Sequence, residues 1–293
     1  MKTIAVLFGG TSEERPVSIK SAQSIIDNLD RSKYQVLTYD FPNDLEKFLA
    51  DYKKINVAFP VFHGKFGEDG IVQGFLETLG IKYTFSDVYA QAVGMNKKTT
   101  KLLFEQAGIK VIPEYTKDNL EFPVVIKPND NGSSFGIYII KNREEFDKYY
   151  PEAEKISNDI IIEKYIQGRE FTSSVLGNDK PEALPIIEII PKNDFFDYES
   201  KYSDGGAQEI CPAKIGDELA EKMKQIGLKA HQVLNCRGLS RTDFILSEDG
   251  EIYTLEINTI PGQTTASLVP KAAKAAGYTY PQFLDKLIEL AEE

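Results

Sequence analysis

The sequence predicts a mixed protein, part α/β and part α+β, that opens with a parallel sheet. Three patterns carry this prediction. Short, continuous apolar runs alternate with helix-period segments at the start of the chain. Two extended segments joined by a Gly/Ser turn, with a helix signal on either side, occupy the middle. Strand signals, a long amphipathic helix and an Asp-Gly hairpin make up the rest. The parts divide as 1–85, 86–163 and 164–293, and a length of 293 residues at roughly 100–200 per domain suggests two or three.

The run 4–8, Ile-Ala-Val-Leu-Phe, is apolar throughout and closed by Gly9-Gly10, as expected of a strand buried on both faces. Helix 18–29, strand 34–39, helix 44–52, strand 55–62 and helix 70–79 follow. This β-α-β-α order implies parallel strands with crossover helices. Ligands of such sheets sit beyond the carboxyl ends of the strands, where segments 9–14 and 63–69 fall. In the middle part, Asn96 is placed to cap helix 97–107, which Gly108 stops. Strand 122–127 ends at Pro128, and the turn 131–136 leads to strands 137–140 and 160–163. The last part opens with strands 170–176 and 183–190, then a polar, aromatic loop, 192–207. A loop of that length is usually functional or disordered, and Gly205-Gly206 suits a lid. Leu219, Met223, Ile226, Ala230 and Val233 mark a helix by their three- and four-residue spacing. The hairpin turning at Asp249-Gly250 and two further helices complete the chain.

Composition excludes several functions. The net charge of −11 argues against nucleic acid or an anionic membrane as the main partner. No apolar run approaches the ~20 residues of a membrane span. The opening apolar run gives way to Glu13, Glu14 and Arg15, so it forms no signal-peptide core. Cys211 and Cys236 are too few for a disulfide framework and match no zinc spacing. Two free thiols in a reducing cytosol, and so a cytoplasmic protein, are the expectation.

The hairpin carries the most chemistry. Period-two alternation puts Arg241, Asp243 and Ile245 on one face, and Ile252, Thr254, Glu256 and Asn258 on one face of the return strand. A two-residue turn at Asp249-Gly250 pairs Asp243 with Glu256 and Arg241 with Asn258. Two opposed carboxylates and an amide oxygen suit Mg²⁺ bridging to phosphates, and a solvated outer face fits the same pattern. A three-residue turn would shift this register. The turn 132–136 offers backbone N–H groups and hydroxyls to an anion, or is an ordinary hairpin turn. It is no Walker A motif, since no Gly-Lys-Ser/Thr follows. Lys127, at the end of the preceding strand, is either a phosphate contact or a surface lysine. Beyond the first strand end Glu14 is placed to hold an amine, and beyond the third His63 is either a functional residue or a hydrogen-bonded structural one.

Taken in order, these segments resemble a known family. Gly9–Arg15 with Val17-Ser18, and His63–Gly70, are similar to the N-terminal motifs of D-alanine–D-alanine ligases. Val125–Pro128 with Gly132-Ser133-Ser134 resembles their central motif. Lys201–Asp204, Arg241–Asp243, Glu256–Gly262 and Ser267–Pro270 continue the resemblance over nearly the whole chain. It implies an ATP-grasp fold with a Rossmann-like N-terminal subdomain and ATP held between the other two. It implies a reaction in which ATP phosphorylates one D-alanine and the amine of a second displaces phosphate. Glu14 would bind the first ammonium, and His63 would sit near its carboxylate. Lys97 and Lys127 would contact phosphates, Glu163 and Glu170 adenine and ribose, and Ile166 the adenine through its backbone. Asp243, Glu256 and Asn258 would bind two Mg²⁺ ions, for which Mn²⁺ could substitute. Arg241 and the Gly262 N–H would stabilise the oxyanion, while Lys201, Ser267 and Leu268 receive the second D-alanine. Ser133 and Tyr202 would link to Glu14 and close the loop over the site. The family also implies a homodimer built through the N-terminal lobe.

Pro16 departs from the acidic residue of many relatives, which points to a different start for the first helix. D-Alanyl-D-lactate formation is the nearest rival activity, and the Lys201-Tyr202 pair argues against it. A non-catalytic nucleotide-binding protein would be expected to lose some of Arg241, Asp243, Glu256 and Asn258, and all four are present.

Overall fold

The computed structural model describes residues 1–130, 132, 136–191 and 206–293. The chain opens as β1 (Lys2–Gly9), α1 (Arg15–Asn28), β2 (Tyr34–Phe41), α2 (Leu45–Asp51), β3 (Val57–Pro60), α3 (Ile71–Thr78) and β4 (Lys82–Tyr83). The four strands form a parallel sheet in the order β2-β1-β3-β4. Alternate β1 residues feed two cores. Ala5 and Leu7 pack with Phe48, Val72 and Leu76 of α2 and α3, and Ile4 and Val6 with Ala22 and Ile25 of α1. Pro16 falls in the first turn of α1, where its missing N–H costs nothing, so the helix begins three residues before the expected Ser18.

Two helices follow, α4 (Val88–Met95) and α5 (Lys97–Gln106), capped by the side chains of Asp87 and Asn96. The sequence reading placed the second of these and missed the first. Next, β5 (Val124–Pro128) is flanked by β6 (Tyr138–Ile140) and β7 (Ile160–Lys164) in an antiparallel sheet. Helix α6 (Arg143–Ile156) seals one face of it with Phe146 and Ala153.

The largest sheet runs β11-β10-β8-β12-β13, with β9 pairing β8. Its strands are β8 (Gly168–Leu176), β9 (Glu182–Ala183), β10 (Ile187–Pro191), β11 (Ala207–Ile210), β12 (Leu239–Ser247) and β13 (Ile252–Asn258). The expected strand 183–190 is split into β9 and β10, with Pro185, which has no N–H for a ladder, between them. Ala207, expected in the loop, opens β11. Segment 192–205 lies outside the described residues. Helix α7 (Asp217–Val233) packs on this sheet through Met223 and Gly227. Helices α8 (Leu268–Ala275) and α9 (Tyr280–Glu292) return to the first sheet, where Phe283, Leu284, Leu287 and Ile288 join Ile4, Val6, Val57 and Phe59 in one core. None of the described helices is long and apolar enough to cross a membrane.

Candidate active site

The site begins at the carboxyl end of the parallel sheet, where β1 and β3 lead their connections to opposite sides. Gly9 has a φ of +101°, and a Cβ there would lie 2.2 Å from Asp40 Oδ1, so only glycine fits the turn. The two strand-end loops are tied together. Ser12 Oγ donates to the His63 carbonyl at 2.6 Å, and the Glu14 N–H donates to Ser12 Oγ at 3.3 Å. Glu14 is buried beneath Gly64 and Gly132; added Cβ atoms there would meet its Oε2 at 2.8 and 3.1 Å. The turn before Ser133 thus approaches Glu14. Ser133 itself, like Lys201 and Tyr202, lies outside the described residues.

His63 is buried, and its Nε2 has no hydrogen-bond partner among the described residues. Burial, aided by the charge of Arg241, pushes its imidazole down to about 4, so it is neutral at pH 7. Glu68, in the His63–Gly70 segment but with no role expected from the sequence, belongs here too. Its Oε2 accepts the Gly64 N–H at 2.6 Å. Burial and the neighbouring Glu14 raise its carboxyl to about 8, against the Gly64 bond and Arg241. Arg241 therefore acts electrostatically on both His63 and Glu68, which joins the hairpin to the strand-end loops.

On the hairpin, Asp243 opposes Glu256 and Arg241 opposes Asn258, as expected. The route to that register differs. The Ser247 N–H donates to the Glu251 carbonyl at 2.9 Å, which closes a three-residue loop with Gly250 at φ +84°. Leu246 then pairs with Ile252 and Phe244 with Thr254, one residue out of the predicted register. A β-bulge at Leu255 restores it beyond Phe244. It also corrects the predicted faces: Ile252 and Thr254 turn into the core, opposite to Glu256 and Asn258.

Asp243 is densely held. It accepts from Arg241 Nε and Nη2 at 2.9 and 2.7 Å, from Thr172 Oγ1 at 2.7 Å and from Asn258 Nδ2 at 3.1 Å. Glu256 lies 3.5 Å from the buried Nζ of Lys97. Asn129 fixes the start of α5, since its carbonyl and Oδ1 accept the N–H groups of Lys97 and Lys98 at 3.2 and 2.9 Å. The solvated-face reading of the hairpin does not survive, because side-chain exposure is 12% for Arg241 and 14% for Asp243. Two carboxylates and an amide oxygen are hard donors that suit a divalent cation. Among the described residues no cluster of three or more His, Cys, Asp or Glu gathers to cage a metal, so phosphate and water oxygens would complete the shell.

The surface-lysine reading of Lys127 fails as well, for it is buried with Nζ 2.7 Å from Glu163 Oε2. The other oxygen of Glu163 meets Lys101, a residue the sequence reading missed, also at 2.7 Å. Burial pushes the Glu163 carboxyl up, but Lys127 and Lys101 outweigh it and hold it below the usual glutamate value. Lys101 sits one turn after Lys97 on α5, a spacing that could have flagged it. Glu170 lies two residues before Thr172 on β8, and so on the face that carries Asp243. Ile166 is buried between β7 and β8. Gly262 packs against Ser267, whose Oγ would lie 3.0 Å from an added Cβ. Ser267 precedes α8, and Leu268 is the first residue of that helix.

Comparison with known proteins matches residues 90–289 to the family model described as D-ala D-ala ligase C-terminus. Residues 3–49 and 41–86 match the model described as D-ala D-ala ligase N-terminus. A D-alanine–D-alanine ligase of Syntrophobacter fumaroxidans is 46% identical over 99% of this chain and 98% of its own. Among solved structures, the VanG D-Ala:D-Ser ligase of Enterococcus faecalis superposes with a TM-score of 0.86 at 31% identity, covering 99% of both chains. The D-alanine–D-alanine ligase of Bacillus anthracis complexed with ATP gives 0.84 at 32% identity, over 100% of this chain and 97% of that one.

Proposed function

The chain belongs to the D-alanine–D-alanine ligase family, and we propose that it works through the cleft between the strand-end loops, α5 and the β12–β13 hairpin. It is an ATP-dependent ligase of ATP-grasp fold that joins two D-alanines for peptidoglycan synthesis. The observation that carries our reading of the site is the hairpin face, where Asp243 opposes Glu256 and Arg241 opposes Asn258, with Asp243 holding Arg241 and Glu256 lying 3.5 Å from Lys97 of α5.

A carboxylate is a poor acyl donor because oxide is a poor leaving group. Its oxygen therefore attacks the γ-phosphorus of ATP, ADP leaves, and an acyl phosphate forms. The free amine of the second D-alanine adds to that carbonyl, and phosphate leaves as the amide forms. The protein's part is to position the reactants and offset charge. Glu14 takes the first ammonium, and neutral His63 faces the adjoining carboxyl. Lys97 and Lys127 turn to the phosphates, while Glu163, Glu170 and the Ile166 backbone hold adenine and ribose. Arg241 and the Gly262 N–H meet the oxyanion of the tetrahedral intermediate. Lys201, Ser267 and Leu268 would receive the second D-alanine, and Ser133 and Tyr202 are the residues proposed to link with Glu14. Asp243, Glu256 and Asn258 would hold Mg²⁺, whose charge would offset that of the transferring phosphoryl group.

We propose the same three-part division: 1–85 for the first substrate, 86–163 as the central ATP-grasp part, and 164–293 with the metal and second-substrate sites, ATP lying between the last two. A cytoplasmic location is supported by the free thiols of Cys211 and Cys236 and by the need for ATP. A homodimer through the N-terminal lobe is supported by Leu45 and Leu49, exposed one turn apart on α2, and sedimentation across concentrations tests it. The activity is tested by phosphate release with ATP, Mg²⁺ and D-alanine, L-alanine, D-serine or D-lactate, with products identified by mass. D-Alanine should give D-alanyl-D-alanine. No release with D-alanine, or equal release with L-alanine, defeats the reading.

A further inference from the structure

Lys101 is a buried cation that the ligation chemistry does not call on. Its Nζ lies 2.7 Å from both Glu163 Oε1 and Glu114 Oε1. Lys127 takes the remaining Glu163 oxygen at 2.7 Å. Two ammonium groups thus balance two carboxylates. The backbone holds those carboxylates together, since Glu114 bridges Glu163 in antiparallel fashion. The Tyr115 N–H donates to the Ile162 carbonyl at 2.8 Å, and the Lys164 N–H to the Pro113 carbonyl at 3.0 Å.

The arrangement meets a conflict when nucleotide binds. Lys127 is the Glu163 partner that turns to the phosphates. With no other counter-charge, that turn would strand a buried carboxylate, which is strongly destabilising. Lys101 is held by a second carboxylate, Glu114, as well as by Glu163, which opposes its leaving with Lys127. We propose that Lys101 is a positioning residue for nucleotide binding: it remains on Glu163 as sole counter-charge and sets that carboxylate for the nucleoside while Lys127 moves to the phosphates. The inference rests on the phosphate role given to Lys127 above.

It predicts a difference between ligands with and without phosphates. Only the phosphates draw Lys127 away, so losing Lys101 should harm ATP binding more than adenosine binding. The measurement is calorimetric titration of the whole protein with a non-hydrolysable ATP analogue and with adenosine, alongside steady-state kinetics. Lys101→Met should weaken the analogue by at least about tenfold and adenosine by less than about threefold. KM for ATP should rise with kcat and KM for D-alanine little changed, and Lys101→Arg should recover most of the loss. Equal weakening of both ligands, or of neither, overturns the proposal and leaves Lys101 a structural residue. Should Lys101→Met not fold, Lys101→Met with Glu163→Gln removes the stranded charge as well as its partner. That pair should bind the analogue and adenosine with equal losses, and an ATP-selective loss there overturns the proposal. Lys127→Met separates the two levels. If it binds the analogue like the wild type, the phosphate role of Lys127 fails; if it binds weakly while Lys101→Met does not, only the present inference fails.

Discussion

Asp243→Asn and Glu256→Gln each remove one charge from the hairpin face, yet they should differ in stability while agreeing in activity. Asp243 anchors Arg241 through two bonds and also takes Thr172 and Asn258, with both ion-pair side chains at most 14% exposed. An asparagine keeps one acceptor oxygen but turns an amide NH₂ toward guanidinium or hydroxyl donors. Removing one partner of a buried pair costs about 3–5 kcal/mol, and the retained oxygen brings the expected loss to about 2–3 kcal/mol. Glu256 contacts Lys97 at 3.5 Å and is 23% exposed, and glutamine still presents an oxygen to that ammonium. The longer contact and the partly exposed carboxylate make its loss the smaller of the two, about 1–2 kcal/mol. In the reaction both variants leave phosphate charge uncompensated, which at 1.36 kcal/mol per decade should lower kcat by roughly 10³-fold. The chain has no tryptophan, so urea unfolding is best followed by far-ultraviolet circular dichroism, with phosphate release measured on the same preparations. Equal stability of the two variants would refute the anchoring argument. Near-normal turnover of Glu256→Gln would remove the hairpin from the chemistry.

Three further outcomes follow from burial and backbone geometry. Burial pushes His231 down to about 4, below the ~6.5 of an unfolded chain, so the unfolded state takes up the proton first as pH falls. Its contribution to stability is full above pH 6.5 and lost toward pH 4, so the wild type's advantage over His231→Gln should shrink by about 3 kcal/mol across that window; a constant difference in urea unfolding would contradict this. Glu68 has the opposite sign: its folded value of about 8 lies above the unfolded one, so its contribution is present below about pH 4.5 and lost as pH rises through 8. Glu68→Gln should therefore flatten the decline in melting temperature between pH 6 and 8.5, and an unchanged decline would count against it. Gly64→Ala places a Cβ 2.8 Å from Glu14 Oε2 at a φ of +74°, and should cost about 1–3 kcal/mol of stability and raise KM for D-alanine; a variant with wild-type values would show that this loop yields freely.

The parallel sheet was legible because a continuous apolar run closed by glycine, such as 4–8, has few other uses, and the largely apolar 55–62 follows at crossover spacing. The position of the strand-end loops was legible as well, since Gly9-Gly10 and His63-Gly64 mark where strands stop. The hairpin partners were read correctly through two errors that cancel. Asp249-Gly250 has the composition of a two-residue turn, but Gly250 serves as the third residue of a longer loop. Nothing in Ile252–Asn258 marks the compensating bulge, because Leu255 needs no special backbone freedom. Lys101 was only half legible, for its spacing from Lys97 hinted at a shared face but not at burial. A lysine on a helix of mixed polarity reads as solvated until Glu163, contributed by a strand of another element, is known to face it. Glu68 was passed over because its strength depends on Glu14 and Arg241, which only the fold brings near.

Helix α9 roofs the first sheet made, and this sets an order on synthesis. While the chain is being translated, Ile4, Val6, Val57 and Phe59 wait for Phe283, Leu284, Leu287 and Ile288 to emerge. At about 5–20 residues per second the wait is on the order of 10–60 s. During that interval one flank of a complete-looking nucleotide-type sheet stays open to other apolar surfaces, including those of neighbouring nascent chains. Lys2 finally pairs with Glu292 at 2.6 Å, which fastens the two extremes of the fold together. A fragment cut after residue 86 would therefore be missing a wall, and would need a substitute surface to remain in solution.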